Sequence, residues 1–350
     1  MQRTFIAAVL FAFISLAAPA QTAQNPAQSA PDTPEPTPTP FEQAQTLAGK
    51  GRLDKALAIL DQLAAQPPEP AGAERLRGMI LYQREQFDEA AKAFSKASEQ
   101  DPNDRESVEM HGVILYRQGH QADAIPFLEK AHTAVVRANI DPEYVLGLCY
   151  ADVGRYDDAR HVFATQYGFS PDSAEAYLLA ARLFLRREFA PQAAIQAHKA
   201  LEINPNLPLA HQLLGEVALS KADLPGAISE FEAERKINPL NGILYDRLGD
   251  AYLRNGKYED AQQALNRAVL LEPSATAPYI LLGETFLKLN EPIQALHYLD
   301  HAAKMDPSNY LTHNLLGQAY KATGQVAEAN REFQMVVDLQ NNTKPQPAGK

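Results

Sequence analysis

The 350 residues carry 32 Lys and Arg against 43 Asp and Glu, a net charge of −11 at pH 7. That balance excludes nucleic-acid backbone binding as the main task, since such binding needs cations to neutralise phosphates, and it argues against attraction to an anionic membrane surface. Composition is that of a folded soluble protein, 45% hydrophobic and 21% charged, with no Trp and a single Cys.

In chain order, residues 1–20 read as an address rather than as structure. Arg3 gives a basic start, an apolar run covers 5–18, and Ala18-Pro19-Ala20 has the small-x-small form of a signal-peptidase site. The 14-residue run is shorter than the ~20 residues a membrane span needs. A cleaved signal peptide is therefore expected rather than a retained anchor. No Cys follows the run to carry a lipid. Loss of residues 1–20 removes one Arg and no acid, leaving −12. Residues 21–40 (QTAQNPAQSAPDTPEPTPTP) hold few large apolar side chains and read as a disordered, extended linker. The expected compartment is therefore the periplasm or the exterior. Cys149, being alone, cannot form an internal disulfide and reads as a small buried apolar residue.

From there on the sequence is periodic. Pro171, Pro205, Pro239, Pro273 and Pro307 are spaced by 34, with Pro68 and Pro102 in the same series. Ala56, Ala90, Ala124, Ala159, Ala193, Ala227, Ala261, Ala295 and Ala329 recur at 34 with a single step of 35. Gly78, Gly112, Gly147, Gly215, Gly249, Gly283 and Gly317 form a third ladder, with Ala181 filling the missing rung. A fixed period of this length marks a solenoid or array of repeats.

Each period has one plan. In the seventh, Tyr245, Leu248 and Tyr252 share one helix face. Gly256 then ends that helix in a conformation of positive φ. Gly51, Gly119, Gly154 and Gly324 hold the same position, and Asn290 tolerates it. A second helix carries Ala261, Leu265 and Ala268 inward, and Pro273 prevents its continuation. Gly249 and Ala261 are expected where the two helices approach most closely.

These residues resemble the tetratricopeptide repeat family. The family's small residue in the first helix matches the Gly ladder, its Ala in the second helix matches the Ala ladder, and its large apolar position matches Phe94, Phe163, Phe231, Leu265, Leu299 and Phe333. The family's early Trp is replaced by Tyr177, Tyr245 and Tyr279, and by His211 and His313. The resemblance implies an all-α fold, a right-handed α-solenoid of about nine stacked helix-turn-helix repeats. The repeats fall near 37–70, 71–104, 105–139, 140–173, 174–207, 208–241, 242–275, 276–309 and 310–341, within a solenoid over 41–341 and before a tail at 342–350. The third repeat has Val136 in place of its Pro, so its second helix is expected to run on toward Asn139. The fifth departs twice, with Ala181 for Gly and Ala197 for the large residue.

The resemblance also implies that the first helices line a concave groove that binds peptides or partner proteins. One row expected to face inward holds Met79, Val113, Leu148, Arg182, Glu216, Asp250 and Glu284. The next holds Tyr82, Tyr116, Leu185, Leu219, Leu253 and Leu287, with Tyr144 beside them. The first half of the groove then reads as apolar and Tyr-rich, suited to apolar segments. The second half reads as acidic, suited to basic ones. The family's clamp of basic and Asn residues for a partner's C-terminal carboxylate is missing, because Glu216, Asp250 and Glu284 stand at the matching positions.

No HExxH, GxSxG, SxxK or P-loop motif occurs, so no catalytic residue, cofactor site or metal site is assigned. His297 and His301, four apart on a helix, lack an evident third ligand. The functional expectation is an exported adaptor for protein complexes of the cell envelope, with a peptide-binding chaperone or a spacer as alternatives, and a metal-dependent enzyme as a distant one.

Overall fold

The computed structural model describes residues 38–131 and 141–342. The expected signal peptide, the expected linker up to residue 37, the stretch toward Asn139 and the residues from 343 lie outside the described residues. Within them the chain forms eighteen α-helices in nine antiparallel pairs: α1 (Pro40–Gly49) with α2 (Leu53–Ala64), α3 (Ala73–Gln83) with α4 (Phe87–Gln100), α5 (Arg105–Arg117) with α6 (Gln121–Ala131), α7 (Pro142–Asp152) with α8 (Tyr156–Gln166), α9 (Ala174–Arg186) with α10 (Ala190–Ile203), α11 (Ala210–Ser220) with α12 (Leu224–Ile237), α13 (Gly242–Arg254) with α14 (Tyr258–Leu271), α15 (Thr276–Lys288) with α16 (Pro292–Met305), and α17 (Tyr310–Ala322) with α18 (Val326–Asn342). It is an all-α repeat solenoid.

The punctuation residues explain the helix ends. Helices α4, α10, α12, α14 and α16 all stop two residues before a ladder Pro. The intervening residues (Asp101, Asn204, Asn238, Glu272, Asp306) leave the helical region, as a residue preceding Pro must. First helices then restart on side-chain caps: Asp104, Asp141, Ser173, Asn241 and Asn309 each accept from a backbone N–H one turn on. Pro40, read from sequence as the end of the linker, is instead the first residue of α1. Thr39 caps that helix in a reciprocal capping box with Glu42.

The turn between the helices of a pair is left-handed at the same place in every repeat. Gly51, Gly119, Gly154, Gly256, Gly324 and Asn290 have positive φ there, and so do Glu85, Glu188 and Ala222, which carry no sequence signal for it. The turn geometry is imposed by the helix pair, and the residue follows it even where a Cβ makes the conformation costly.

All nine ladder alanines are buried at 0–2% exposure. The atoms nearest the ladder glycines, however, belong to the large residue four positions beyond each Ala. Gly249 faces Leu265; Gly147 faces Phe163; Gly215 faces Phe231. The aromatic or Leu knob fills the hole that the Gly leaves.

Each second helix packs on the first helix of the next repeat, and first helices also touch one another directly, as in α3–α5, α5–α7, α9–α11, α13–α15 and α15–α17. The layer whose neighbours lie closer together is the inner layer of a curved array, so the first helices form the concave face. Polar ties cross between repeats: Tyr252 donates to Glu232 at 2.8 Å, and Tyr150 donates to Glu129 at 2.5 Å. Cys149 lies at 0% exposure, where burial pushes its thiol pKa up to about 12 and keeps it from reacting as a thiolate.

Candidate partner-binding groove

The structure separates the inward-facing residues into two groups. Val113, Leu148 and Leu253 are 1%, 8% and 7% exposed, and pack in the core between repeats. They offer no groove surface, which corrects the expectation that they line it. Their side chains belong to the apolar clusters that join neighbouring repeats. Met79, Tyr82, Tyr116, Tyr144, Leu185, Leu219 and Leu287 are partly exposed, as are Glu216, Asp250 and Glu284; Arg182 is exposed.

The three tyrosines are held by distinct contacts. Tyr82 sits edge-on to Phe87, with ring centroids 5.6 Å apart, and the Arg117 guanidinium lies 5.0 Å from its ring. Its hydroxyl is buried without a hydrogen-bond partner among the described residues. Tyr144 packs 5.7 Å from Phe163. Tyr116 accepts a hydrogen bond at 3.3 Å from Arg187, whose guanidinium also grips both carboxylate oxygens of Asp152 at 2.5 and 2.6 Å. Arg187 thereby joins α5, α7 and the end of α9, and its charge is satisfied within the protein.

A cavity opens on the concave face between α9 and α11, with room of about 280 Å³. Arg182, Leu185 and Arg186 form one wall; Leu209, Leu213 and Glu216 form the other. Three of these six were legible as groove residues. Arg186, Leu209 and Leu213 were not: Leu213 shares its repeat position with Leu76, Leu179, Leu281 and Leu315 and reads as core, Arg186 shares its position with Arg117 and Arg254, and nothing in the sequence marks which of these recurring residues border an opening. Leu209 is the unusual member: its φ is +72°, a conformation that a branched side chain rarely adopts. Four repeats earlier the equivalent position is Gly72, also at positive φ. The Leu209 conformation is pinned by its own N–H, which donates at 2.7 Å to Oε1 of the fully buried Glu234.

The acidic row is partly neutralised by its neighbours. Gln212 donates to Glu216 at 3.1 Å and in turn accepts from Asn241 at 2.7 Å, which orients Glu216 toward the cavity. Asp250 pairs with Arg254 one turn on, at 3.4 Å. Two further inner-face acids escaped the sequence reading. Glu109 on α5 is fully buried with both oxygens unpartnered among the described residues, and burial reinforced by Glu106 and Asp141 raises its pKa to about 7. Burial likewise raises the pKa of Asp246 on α13.

Among the described residues no three His, Cys, Asp or Glu side chains converge on a point that would hold a metal. His301 instead lies against the Tyr279 ring with centroids 4.5 Å apart, and His297 meets Tyr298 edge-on at 5.2 Å. No helix among them is long and apolar enough to cross a membrane.

A family model described as tetratricopeptide repeat matches residues 41–105, 144–208 and 280–342, and a second so described matches 243–275. The chain belongs to the tetratricopeptide repeat family. A model described as anaphase-promoting complex, cyclosome, subunit 3 also matches residues 83–166 of this tetratricopeptide repeat protein. Among solved structures, MamA from Desulfovibrio magneticus RS-1 is 21% identical, covering 50% of this chain and 98% of its own, with a TM-score of 0.47. YrrB, described as a TPR protein with an unusual peptide-binding site, is 21% identical, covering 53% and 95%, with a TM-score of 0.48. PilF from Pseudomonas aeruginosa is 21% identical, covering 50% and 78%, with a TM-score of 0.43. No curated protein matches the chain. The tetratricopeptide repeat fold is typically a non-catalytic scaffold for protein–protein interaction.

Proposed function

We propose that this tetratricopeptide repeat protein is an exported adaptor that gathers defined partners on its concave face during assembly of cell-envelope complexes. The observation that carries the reading is the inner face itself: half-buried Tyr82, Tyr116 and Tyr144 stand on rigid first helices and keep aromatic surface open to a partner. Rigid aromatics make strong anchors because little side-chain entropy is lost when they are covered. The partly exposed leucines Leu185, Leu219 and Leu287 extend the apolar strip, and Glu216, Asp250 and Glu284 add acids that suit basic segments. Export rests on the basic start, the apolar run and Ala18-Pro19-Ala20 in residues 1–20.

The test is affinity capture from envelope extract with residues 21–350 as bait, beside a bait with Tyr82, Tyr116 and Tyr144 changed to Ala. Both baits must first give the same helicity and melting temperature, because Tyr82 and Tyr116 also hold contacts within the protein. A short set of partners, lost with the triple variant, supports the adaptor. A broad set of unfolded proteins indicates a chaperone, and capture indifferent to the variant removes the tyrosines from the site. N-terminal sequencing of protein recovered from the envelope fraction tests cleavage after Ala20.

A further inference from the structure

The groove's charge does not follow the acidic row throughout. Arg182 and Arg186 are both exposed, one turn apart on the same face of α9, and neither has an ion pair or hydrogen bond among the described residues. Like charges at this spacing repel and cost helix stability. The helix dipole accounts for a cation at Arg186, in the last turn, but not for Arg182 a turn earlier. Neighbouring Arg187, by contrast, is fully committed to Asp152 and Tyr116. Between the two free guanidinium groups and α11 lies the 280 Å³ cavity, with Leu185, Leu209 and Leu213 as its apolar surface. Its Leu209 wall is kept in a strained conformation by buried Glu234, and strain of this kind persists where surrounding structure enforces it and clusters at ligand-binding places.

We propose that the cavity between α9 and α11 receives an acidic stretch of a partner chain, with one or two Asp or Glu carboxylates on Arg182 and Arg186 and an adjoining aliphatic side chain on Leu185, Leu209 and Leu213. This assignment rests on the adaptor reading and names the chemistry of one subsite. Guanidinium groups suit carboxylates through paired N–H donors. An anion set between them removes their mutual repulsion. Glu216, oriented by Gln212, closes the far side and rejects a second carboxylate there, so the acids and the apolar residue have a fixed order along α9 to α11.

The experiment is selection of a random twelve-residue peptide library, displayed on phage, against the purified protein. Counter-selection uses the double variant Arg182→Glu/Arg186→Glu. Both arginines are exposed, so the variant is expected to melt with the wild type. Should it misfold, Arg182→Gln/Arg186→Gln takes its place. Expected are enriched peptides that pair Asp or Glu with a bulky aliphatic residue. As synthetic peptides they should bind about tenfold or more weakly to the double variant, and Arg182→Lys/Arg186→Lys should restore part of the loss. Enrichment of basic or uncharged peptides overturns the proposal, as does acidic-peptide binding that the double variant leaves unchanged, or no enrichment at all. In each of those cases the adaptor reading is judged separately, by whether envelope partners are captured and lost with the tyrosine variant.

Discussion

A methyl group on Gly147 would collide with Cε1 at the ring edge of Phe163. The same relation joins Gly249 to Leu265 and Gly283 to Leu299. The first helix gives up its side chain so that the second can insert a large one.

Gly249→Leu should therefore lower stability by about 1–3 kcal/mol, since the added side chain meets Leu265 with no space to move into. Thermal melting by circular dichroism checks this, and an unchanged melting temperature would remove the close-contact account.

The fifth repeat carries the opposite solution, with Ala181 and Ala197 both fully buried at the paired positions. Ala197→Phe alone should destabilise by about 1–3 kcal/mol through overpacking. Combined with Ala181→Gly, most of that loss should be recovered. Additive effects in the double-mutant cycle would mean that the two sites do not share a hole.

Ala222 occupies the left-handed turn where other repeats place Gly. Ala222→Gly relieves the Cβ clash at a cost in unfolded-state entropy, so a net gain of roughly 0.5–1 kcal/mol is expected. A lower melting temperature would show that the turn tolerates the side chain without strain.

Glu109 predicts a pH dependence. Its pKa is raised from 4.5 to about 7 in the folded protein, so between those values the folded state keeps a proton that the unfolded state has lost. Stability must then fall as pH rises through this window and level off above pH 7. Glu109→Gln should flatten that slope and stabilise the protein at pH 8 by on the order of 3 kcal/mol. Denaturant titrations at pH 5 and pH 8 decide it; equal gains at both would mean that Glu109 is already ionised at pH 5.

Zinc should not raise the melting temperature, because His297 and His301 find ring partners in Tyr298 and Tyr279 rather than a common third ligand. A zinc-dependent rise lost in His297→Ala would overturn this.

The three ladders made the fold legible: small, alanine and proline positions recur at one period, and the helices end where Gly and Pro say they should. Contact identity was less legible. Ladders of equal period show that rungs meet but not which ones, and it is the antiparallel packing that sets Leu265 over Gly249. Burial within the groove was also hidden, since Leu253 and Leu219 share one repeat position yet Leu253 is covered while Leu219 stays partly open. The roles of Arg186, Leu209 and Glu109 were hidden as well. Their importance comes from an unmet charge, a left-handed backbone and a lack of hydrogen-bond partners, none of which a sequence displays.

The grip of Arg187 on Asp152 and Tyr116 has a mechanical consequence. It fastens three successive repeats across the same stretch in which one continuous core runs from Val113 to Val217. Under tension applied at its two ends, the chain should not lengthen one repeat at a time throughout. Its outer repeats should peel away in small steps, and the middle should hold until it yields in one large extension.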